Sequence, residues 1–281
     1  FEKSEIDYFD SDWALYRNLR QSILTHPAVP AGLKGYAQTL TVEEDKPSHT
    51  FENMSAGIRV SLQTDQTDYA FSYHYGWETL PTISSFPVSG FSYNGDPKTN
   101  VAQLLSTPII TGTTVQATYD RQQTLGFEWE TVLDPIGFRG EIAHIDQLSF
   151  ISSDLTSQRK AVTHFVSGVD YTSETEWYFN LQGSWQHIHD FDKNILYFGK
   201  DTVALFGEIR KPVWRGNLEF ATKYNYVVTD KSSYLQPSTT LKYFRNVECE
   251  FGAMVYSGGG ETLMGSYDQA DQVYGMVKIT F

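Results

Sequence analysis

The chain has 281 residues, of which 40% are hydrophobic, 20% are charged and 15% are aromatic. Its 21 Lys and Arg against 34 Asp and Glu give a formal net charge of −13, which argues against nucleic acid as a partner because nucleic-acid-binding surfaces are basic. The single cysteine, Cys249, excludes a disulfide framework and any metal site that needs several cysteines. No apolar run reaches the roughly 20 residues of a membrane-spanning helix.

The first part of the chain, residues 1–54, shows no clear strand pattern. One short helix is predicted over residues 11–26, because a Ser-Asp pair opens it and Pro27 stops it. Residues 34–45 are an alternative source of one further strand for the sheet that follows.

From about residue 55 onward, apolar and polar residues alternate with a period of two. Phe179 and Leu181, for example, fall on one face of a strand, and Asn180 and Gln182 fall on the other. The pattern predicts about eleven antiparallel strands, over 55–64, 67–76, 109–132, 136–146, 161–173, 176–188, 201–213, 215–228, 233–244, 247–258 and 271–281. Most are longer than a usual soluble strand and match the roughly 9–11 residues of a tilted transmembrane strand.

The connections between these strands differ systematically in length. Short polar turns are predicted at 64–67, 134–137, 173–175, 214–216 and 245–246. Longer connections alternate with them, at 77–108, 147–160, 189–200 and 258–270, with a modest one at 229–232. Short turns at one end and long loops at the other are typical of outer-membrane barrels. The predicted fold is therefore all-β, a transmembrane antiparallel β-barrel over residues 55–281.

The two faces of the predicted strands differ in charge. Unpaired charges are too costly to bury in a dry core, so the ionisable face is predicted to line a water-filled lumen. The candidate lumen or constriction residues are Arg59, His74, Glu128, Glu130, Arg139, Glu141, Asp170, Glu208, Arg210, Glu219, Lys223, Lys242, Glu248, Glu250 and Lys278. The apolar face is predicted to meet lipid, with interfacial aromatic girdles formed by Trp77, Trp129, Trp177, Trp185, Trp214, Tyr226 and Tyr243.

The last strand ends on an aromatic residue preceded by apolar residues at alternate positions. The residues Tyr274, Val277, Ile279 and Phe281 resemble the C-terminal signature that the barrel-insertion machinery of bacteria reads. An ordinary edge strand that stops at a Phe is the alternative. With Phe281 at the periplasmic side, eleven strands place residues 1–54 outside the cell, after a strand that this chain lacks. The strands are thus expected to be the C-terminal part of a larger, even-stranded barrel.

Several short stretches resemble a family of proteobacterial outer-membrane proteins known as DUF1302, a domain of unknown function. They are SDWA at 11–14, ENMSAGIR at 52–59, FSYHYGW at 71–77 with LP at 80–81, GFRGE at 137–141, VSGVDY at 166–171, NLQ at 180–182 and VYSG at 255–258. The likeness covers most of residues 50–281. It implies a porin-like barrel with a further N-terminal portion, and it supplies no substrate and no catalytic residues.

Two local patterns indicate other chemistry. His187 and His189 share a strand face and are a weak metal candidate, although polar residues collect at strand ends in any case. The pairs Glu128/Glu130 and Glu248/Glu250 are similar to glycosidase carboxylates, but catalytic carboxylates lie on separate elements roughly 5–10 Å apart. We therefore expect no metal, no cofactor and no enzymatic activity.

The long segment 77–108 has two possible positions, folded into the pore or facing outward. Folded inward, it would set a constriction at which arginines (Arg59, Arg139, Arg210) face carboxylates (Glu128, Glu141, Glu208). The leading functional hypothesis is a porin-like channel of the bacterial outer membrane for passive diffusion of small solutes. The alternatives are a scaffold or adhesin whose loops or lumen bind a partner protein, and a soluble β-sandwich that binds carbohydrate. The expected partners are the outer-membrane bilayer and the insertion machinery.

Overall fold

The computed structural model describes residues 15–48, 50–96, 109–242 and 246–280. Two α-helices occur in that part of the chain, α1 (Leu15–Thr25) and α2 (Ala31–Thr39). The strands are β1 (Thr41–Asp45), β2 (Ala56–Gln63), β3 (Thr67–Trp77), β4 (Thr82–Ser85), β5 (Val88–Ser89), β6 (Ile109–Ile110), β7 (Thr114–Thr118), β8 (Arg121–Leu133), β9 (Ile136–Ile151), β10 (Ser157–Thr172), β11 (Tyr178–Ile188), β12 (Asp201–Val213), β13 (Leu218–Val227), β14 (Ser232–Leu241), β15 (Val247–Ser257) and β16 (Gln272–Ile279).

Eleven strands form one large sheet, which we call the main sheet. Its order is β16-β15-β14-β13-β12-β11-β10-β9-β8-β3-β2, and every neighbouring pair is antiparallel. The predicted all-β class and the eleven antiparallel strands are thereby confirmed. Strand neighbours in the sheet are also neighbours in the sequence except at β3–β8, where residues 78–120 leave the sheet and return.

The segment between β3 and β8 corrects one predicted strand. Residues 109–132 form three strands rather than one: β6, β7 and the greater part of β8. β7 pairs with β1 and β4 in a separate three-stranded sheet, and β6 pairs with β5. The period of two continues through all three pieces, so the sequence pattern does not show that they belong to different sheets.

The N-terminal part contains the predicted helix and no additional strand of the main sheet. The described part of the predicted 11–26 helix is α1, which ends two residues before Pro27, and residues 11–14 lie outside the described ranges. The alternative that 34–45 adds a strand to the main sheet is wrong. Residues 31–39 are helical and β1 pairs in parallel with β7, because its partners lie in the small sheet.

The helices and the two small sheets form a compact unit that we call the cap. It consists of α1, α2, β1, β4, β5, β6, β7 and the stretch from 78 to 96. Its hydrophobic core is shared with two long connections of the main sheet, which contribute Leu155 and Leu196. The other buried residues of this core are Tyr16, Leu19, Ile83, Tyr93, Val115 and Ala117. In α1, Tyr16, Leu19 and Ile23 recur at helical spacing and form the apolar stripe that packs into this core.

The cap is attached to the main sheet at its long-connection end. The backbone N–H of Tyr93 donates to Ser153 O at 2.6 Å, and that of Ile83 donates to Ser157 Oγ at 2.8 Å. The Tyr16 hydroxyl donates to Leu155 O at 3.1 Å. All three acceptors lie in or beside the β9–β10 connection, so the cap lies against the end of this hairpin.

A second buried cluster lies on the main sheet, at the long-connection end of β10 and β11. Val162 of β10 and Ile188 of β11 lie opposite each other and are almost fully buried. Ile195 and Phe198, from the connection between β11 and β12, pack on them. The long connections therefore fold over the ends of the central strands. No helix in the described ranges is long and apolar enough to cross a membrane.

Candidate functional site

The main sheet has one apolar face and one charged face, and the strand register keeps them separate. Directly opposite residues of neighbouring strands share a face. Phe127 of β8 lies opposite Phe71 of β3 and Ile142 of β9, whereas Glu128 lies opposite Glu141. A slip of one residue would exchange the faces. The alternation predicted for single strands therefore extends across the whole sheet.

The register places all fifteen predicted lumen residues on the charged face. They are Arg59, His74, Glu128, Glu130, Arg139, Glu141, Asp170, Glu208, Arg210, Glu219, Lys223, Lys242, Glu248, Glu250 and Lys278. Asp68 of β3, which lies opposite Glu130, belongs to the same face and was missed, although its position in the alternation indicated it. Sequence reasoning therefore found the members of this face but not their pairing.

Two ion pairs on the charged face join different strands. One crosses over an intervening strand, and the other joins adjacent strands. Arg59 Nη2 on β2 lies 2.8 Å from Glu128 Oε2 on β8, reaching over the small Ser72 of β3. Arg139 on β9 pairs with Asp170 on β10. Both pairs are partly exposed, where a single pair contributes about 0–1 kcal/mol, so their main effect is to order the side chains.

Further ion pairs along β12 to β14 also join side chains that lie close together on the sheet. Lys242 Nζ lies 3.3 Å from Glu219 Oε2, and Arg210 Nε lies 3.8 Å from Glu208 Oε1 on the same strand. In the described chain the arginines thus pair with carboxylates beside them on the sheet. The opposition of arginines and carboxylates across a constriction stays a prediction, since the ion pairs in the described residues join side chains that lie close together on the sheet.

A groove of about 600 Å³ lies on the charged face where the ionic side chains are densest. Its charged lining residues are Arg59, Asp68, Glu128, Glu130, Arg139 and Glu141. The strands β2, β3, β8 and β9 position these side chains. The groove is polar and open, as a surface exposed to water requires.

The apolar face is exposed over its whole extent. Leu181, Phe220 and Val277 have exposed fractions of 48%, 48% and 62%, although they lie on central and edge strands alike. A monomeric soluble protein rarely exposes an apolar patch of more than a few hundred Å². This face does not form a shared interior; the buried core lies in the cap and at the ends of the central strands.

On β12 the apolar face is bounded by a charged residue at each end. Along β12, Asp201 and Lys211 lie on this face, with Val203, Leu205 and Ile209 between them. Consider the part of this face that lies between the position of Asp201 and the short turns. In the described strands, Lys211 is the one Asp, Glu, Lys or Arg in that part. Ten residues at about 3.3 Å each, tilted by about 40°, span about 25 Å, which is the height of a lipid-facing band.

Predicted girdle residues lie near the ends of this band. Trp177, Trp185, Trp214 and Tyr226 are between 39% and 57% exposed. Tyr243 lies outside the part of the chain that the structure describes.

The predicted C-terminal signature divides between the two faces. Val277 and Ile279 lie on the apolar face, opposite residues of β15 that share it. Tyr274 lies on the charged face, opposite Gly252, because it is an odd number of residues from Val277. Phe281 is beyond the described residues.

The two histidines singled out in the sequence lie at the long-connection end of the apolar face. His187 Nδ1 lies 2.8 Å from Asp201 Oδ1, and His189 Nε2 lies 2.9 Å from Thr163 Oγ1. A third ring, His144, lies 5.6 Å from that of His189, a neighbour that only the sheet register reveals. In the described ranges no group of three or more His, Cys, Asp or Glu is arranged to hold a metal ion, so the weak metal candidate gains no support.

The described part of the 77–108 segment does not face outward as a free loop. Residues 78–96 belong to the cap, where Ile83 and Tyr93 are buried. Residues 97–108 lie outside the described ranges. The described part of the segment therefore packs against the long-connection end of the main sheet.

Glu78 joins the cap to the main sheet and was not indicated by any sequence pattern. It is 5% exposed and accepts hydrogen bonds from Ser149 N at 2.9 Å and Ser149 Oγ at 2.7 Å. Burial raises the pKa of this carboxyl, and nearby Asp120 raises it further, while the Ser149 hydrogen bonds and Arg159 offset part of the effect.

This raised pKa predicts a pH dependence of the cap junction. A carboxyl that binds its proton more tightly when folded makes folding more favourable as the pH falls. We expect protection of the cap from proteolysis to increase from neutral pH toward the ordinary Glu pKa of about 4.3. Glu78→Gln should flatten this increase, as limited proteolysis over a pH series would measure. An unchanged pH slope in the variant would contradict the assignment.

No protein-family model matches this chain, and a search of curated proteins found no match.

Proposed function

We propose that this chain forms most of an outer-membrane β-barrel whose charged face encloses a water-filled lumen for passive diffusion of small solutes. The observation that carries the proposal is the exposed apolar band opposite a face with fifteen ionisable residues identified in advance. Lipid would cover the band, and water in the lumen would solvate the charges. The resemblance to a porin-like family points to the same location in bacteria.

Closure of the barrel requires strands besides those described. Within the described ranges, β2 and β16 each pair on one side only. Because eleven strands alternate in direction, these two edge strands run the same way. An odd number of further strands is needed to close the sheet with antiparallel pairs throughout, which gives the even number typical of bacterial barrels. Val277 and Ile279 on the apolar face of β16 fit a strand presented to the insertion machinery.

The position of the cap supports an extracellular side for the long connections. The short turns lie at one end of the main sheet, and the cap lies at the other with the longer connections. In outer-membrane barrels the long connections are extracellular. The cap would then narrow the outer mouth of the lumen.

Electrical recording of the purified protein in planar lipid bilayers tests the proposal. We expect stepwise ion conductance in salt solution. Protein that is inserted, as shown by flotation with vesicles, but stays closed at every voltage would contradict a channel.

The charged face also predicts an ion preference. The fifteen predicted lumen residues and Asp68 together include nine carboxylates, namely Asp68, Glu128, Glu130, Glu141, Asp170, Glu208, Glu219, Glu248 and Glu250. They include six Lys or Arg, namely Arg59, Arg139, Arg210, Lys223, Lys242 and Lys278. The excess of carboxylates predicts a modest preference for cations, because rings of Asp and Glu select cations in channels.

Reversal potentials across a salt gradient measure this preference. Glu130→Gln with Glu141→Gln, both in the groove, should shift the potential toward anions. Asp134→Asn, in a short turn at the end of the sheet, is the matched control and should leave it near the original value. An equal shift in both variants, or none in the groove variant, would show that the groove does not set selectivity.

A scaffold or adhesin is a second candidate, favoured by the folded cap at the long-connection end, whose hydrophobic core ties it to the main sheet. Such a surface is suited to binding a partner protein. An inserted barrel that never conducts would favour this function over diffusion.

A further inference from the structure

Four tyrosines line the charged face at the long-connection end of β14 to β16. They are Tyr234, Tyr256, Tyr267 and Tyr274, and we call them the tyrosine track. Tyr234 lies directly opposite Tyr256, with ring centroids 5.0 Å apart. The ring of Tyr267, in the connection above, lies 6.0 Å from that of Tyr256. All four are partly exposed, so the track runs from the outer connection toward the lumen.

A chain of hydrogen bonds, each donated toward Glu250, connects Tyr234 and Tyr274 of the track. The Tyr234 hydroxyl donates to Gln236 Oε1 at 2.7 Å, and Gln236 Nε2 donates to the Tyr274 oxygen at 2.9 Å. The Tyr274 hydroxyl in turn donates to Glu250 Oε1 at 2.6 Å. Such a chain orders side chains that would otherwise rotate in water.

Gly252 leaves room for the ring of Tyr274 on the charged face. A Cβ at this position would lie 2.5 Å from the Tyr274 hydroxyl and 2.6 Å from its Cζ, so a larger residue would displace the ring.

The row of the sheet that contains Tyr234 is free of charge over five strands. Gln182 lies opposite Phe206, Phe206 opposite Asn225, and Asn225 opposite Tyr234, which pairs with Tyr256. Aromatic rings and amides thus share this row. The ionised side chains of β14 to β16 lie further toward the short turns. The ionic groove borders the row at its other end, where Gln182 and Phe206 are part of the groove lining.

This combination fits one class of solute. A saccharide ring has apolar C–H faces that pack on aromatic rings, and a rim of hydroxyls that both donate and accept hydrogen bonds. Amides and tyrosine hydroxyls also do both, and the donors and acceptors that they do not use among themselves can bind the saccharide hydroxyls. A purely apolar solute would make no use of them. A charged solute would find no opposite charge in this row.

We propose that the tyrosine track is a binding surface for uncharged saccharides at the outer mouth of the lumen. The proposal rests on the proposed channel and names its solute class. Several weak, adjacent contacts suit a channel, because a solute must bind well enough to enter and weakly enough to leave.

Planar-bilayer recording with maltotriose as the probe tests the track. We expect maltotriose to interrupt the ion current of the unaltered protein, and a polyethylene glycol of matched size to do so less. Tyr234→Ala and Tyr256→Ala should each raise the half-blocking maltotriose concentration about two- to tenfold, the range for loss of one aromatic contact. Tyr234→Phe keeps the ring and should fall between.

Tyr226→Ala is the matched control, because Tyr226 lies on the apolar face of β13 next to the Asn225 position. Maltotriose should block the current of this variant at the same concentration as that of the unaltered protein. Equal block in all variants that still conduct, or equal block by maltotriose and the polymer, would overturn the saccharide assignment while leaving the channel in place. Absence of ion current from inserted, unaltered protein would instead overturn the channel and this inference with it.

Discussion

Leu181→Arg is expected to destabilise the protein in a bilayer by about 2–4 kcal/mol, the cost of an arginine on the lipid face near the midplane. Leu181 lies on the apolar face of β11 and is 48% exposed, with Val169 of β10 and Gly207 of β12 opposite it. In a soluble sheet an exposed position tolerates such a change within about 0.5 kcal/mol. Urea unfolding of the protein in lipid vesicles measures the difference.

Gln182→Arg is the matched control for this prediction. It adds the same charge one residue along the same strand, but on the charged face, where water and carboxylates can solvate it. We expect little change in the free energy of unfolding. If Leu181→Arg folds into vesicles as readily as Gln182→Arg, the apolar face does not contact lipid.

Ile83→Ala is expected to lower the stability of the cap by about 2–5 kcal/mol, the usual range for truncating a buried isoleucine. Ile83 is 3% exposed and belongs to the core cluster with Tyr16 and Val115. A cap that opens more often should be cleaved faster by protease. On the proposal that the cap narrows the outer mouth of the lumen, opening of the cap should also raise the single-channel conductance.

Ile109→Ala provides the comparison, because Ile109 lies in the same unit but is 62% exposed. Its removal should change stability by no more than about 0.5 kcal/mol. Cleavage rates that are the same for both variants would mean that the cap core does not hold this unit together. Faster cleavage of Ile83→Ala at unchanged conductance would place the cap away from the path of ions.

The strands of the main sheet could be predicted because their signal is local. In β12 the predicted bounds 201–213 and the observed bounds coincide, since Val203, Leu205 and Ile209 fall on one face and Glu208 and Arg210 on the other. For the same reason, every residue that was predicted to line the lumen lies on the charged face. A period of two fixes which residues lie together within a strand, and antiparallel pairing then carries the face to the next strand.

The pairing of side chains could not be predicted in the same way. Arg59 and Glu128 are 69 residues apart, and their contact depends on β3 lying between β2 and β8. The cap was missed because β7 alternates like a strand of the main sheet but pairs with β1 and β4. Glu78 carries no pattern at all, and its role follows from Ser149, which the fold brings beside it.

By itself, the sequence determined that this protein is built of long antiparallel strands with one apolar face and one charged face, because side-chain alternation is a property of each strand alone. Only the tertiary structure decided where the buried core lies, which charges meet, and that tyrosines from three strands and a loop form a continuous track. Those features depend on register and on contacts between distant segments, for which a single strand carries no information.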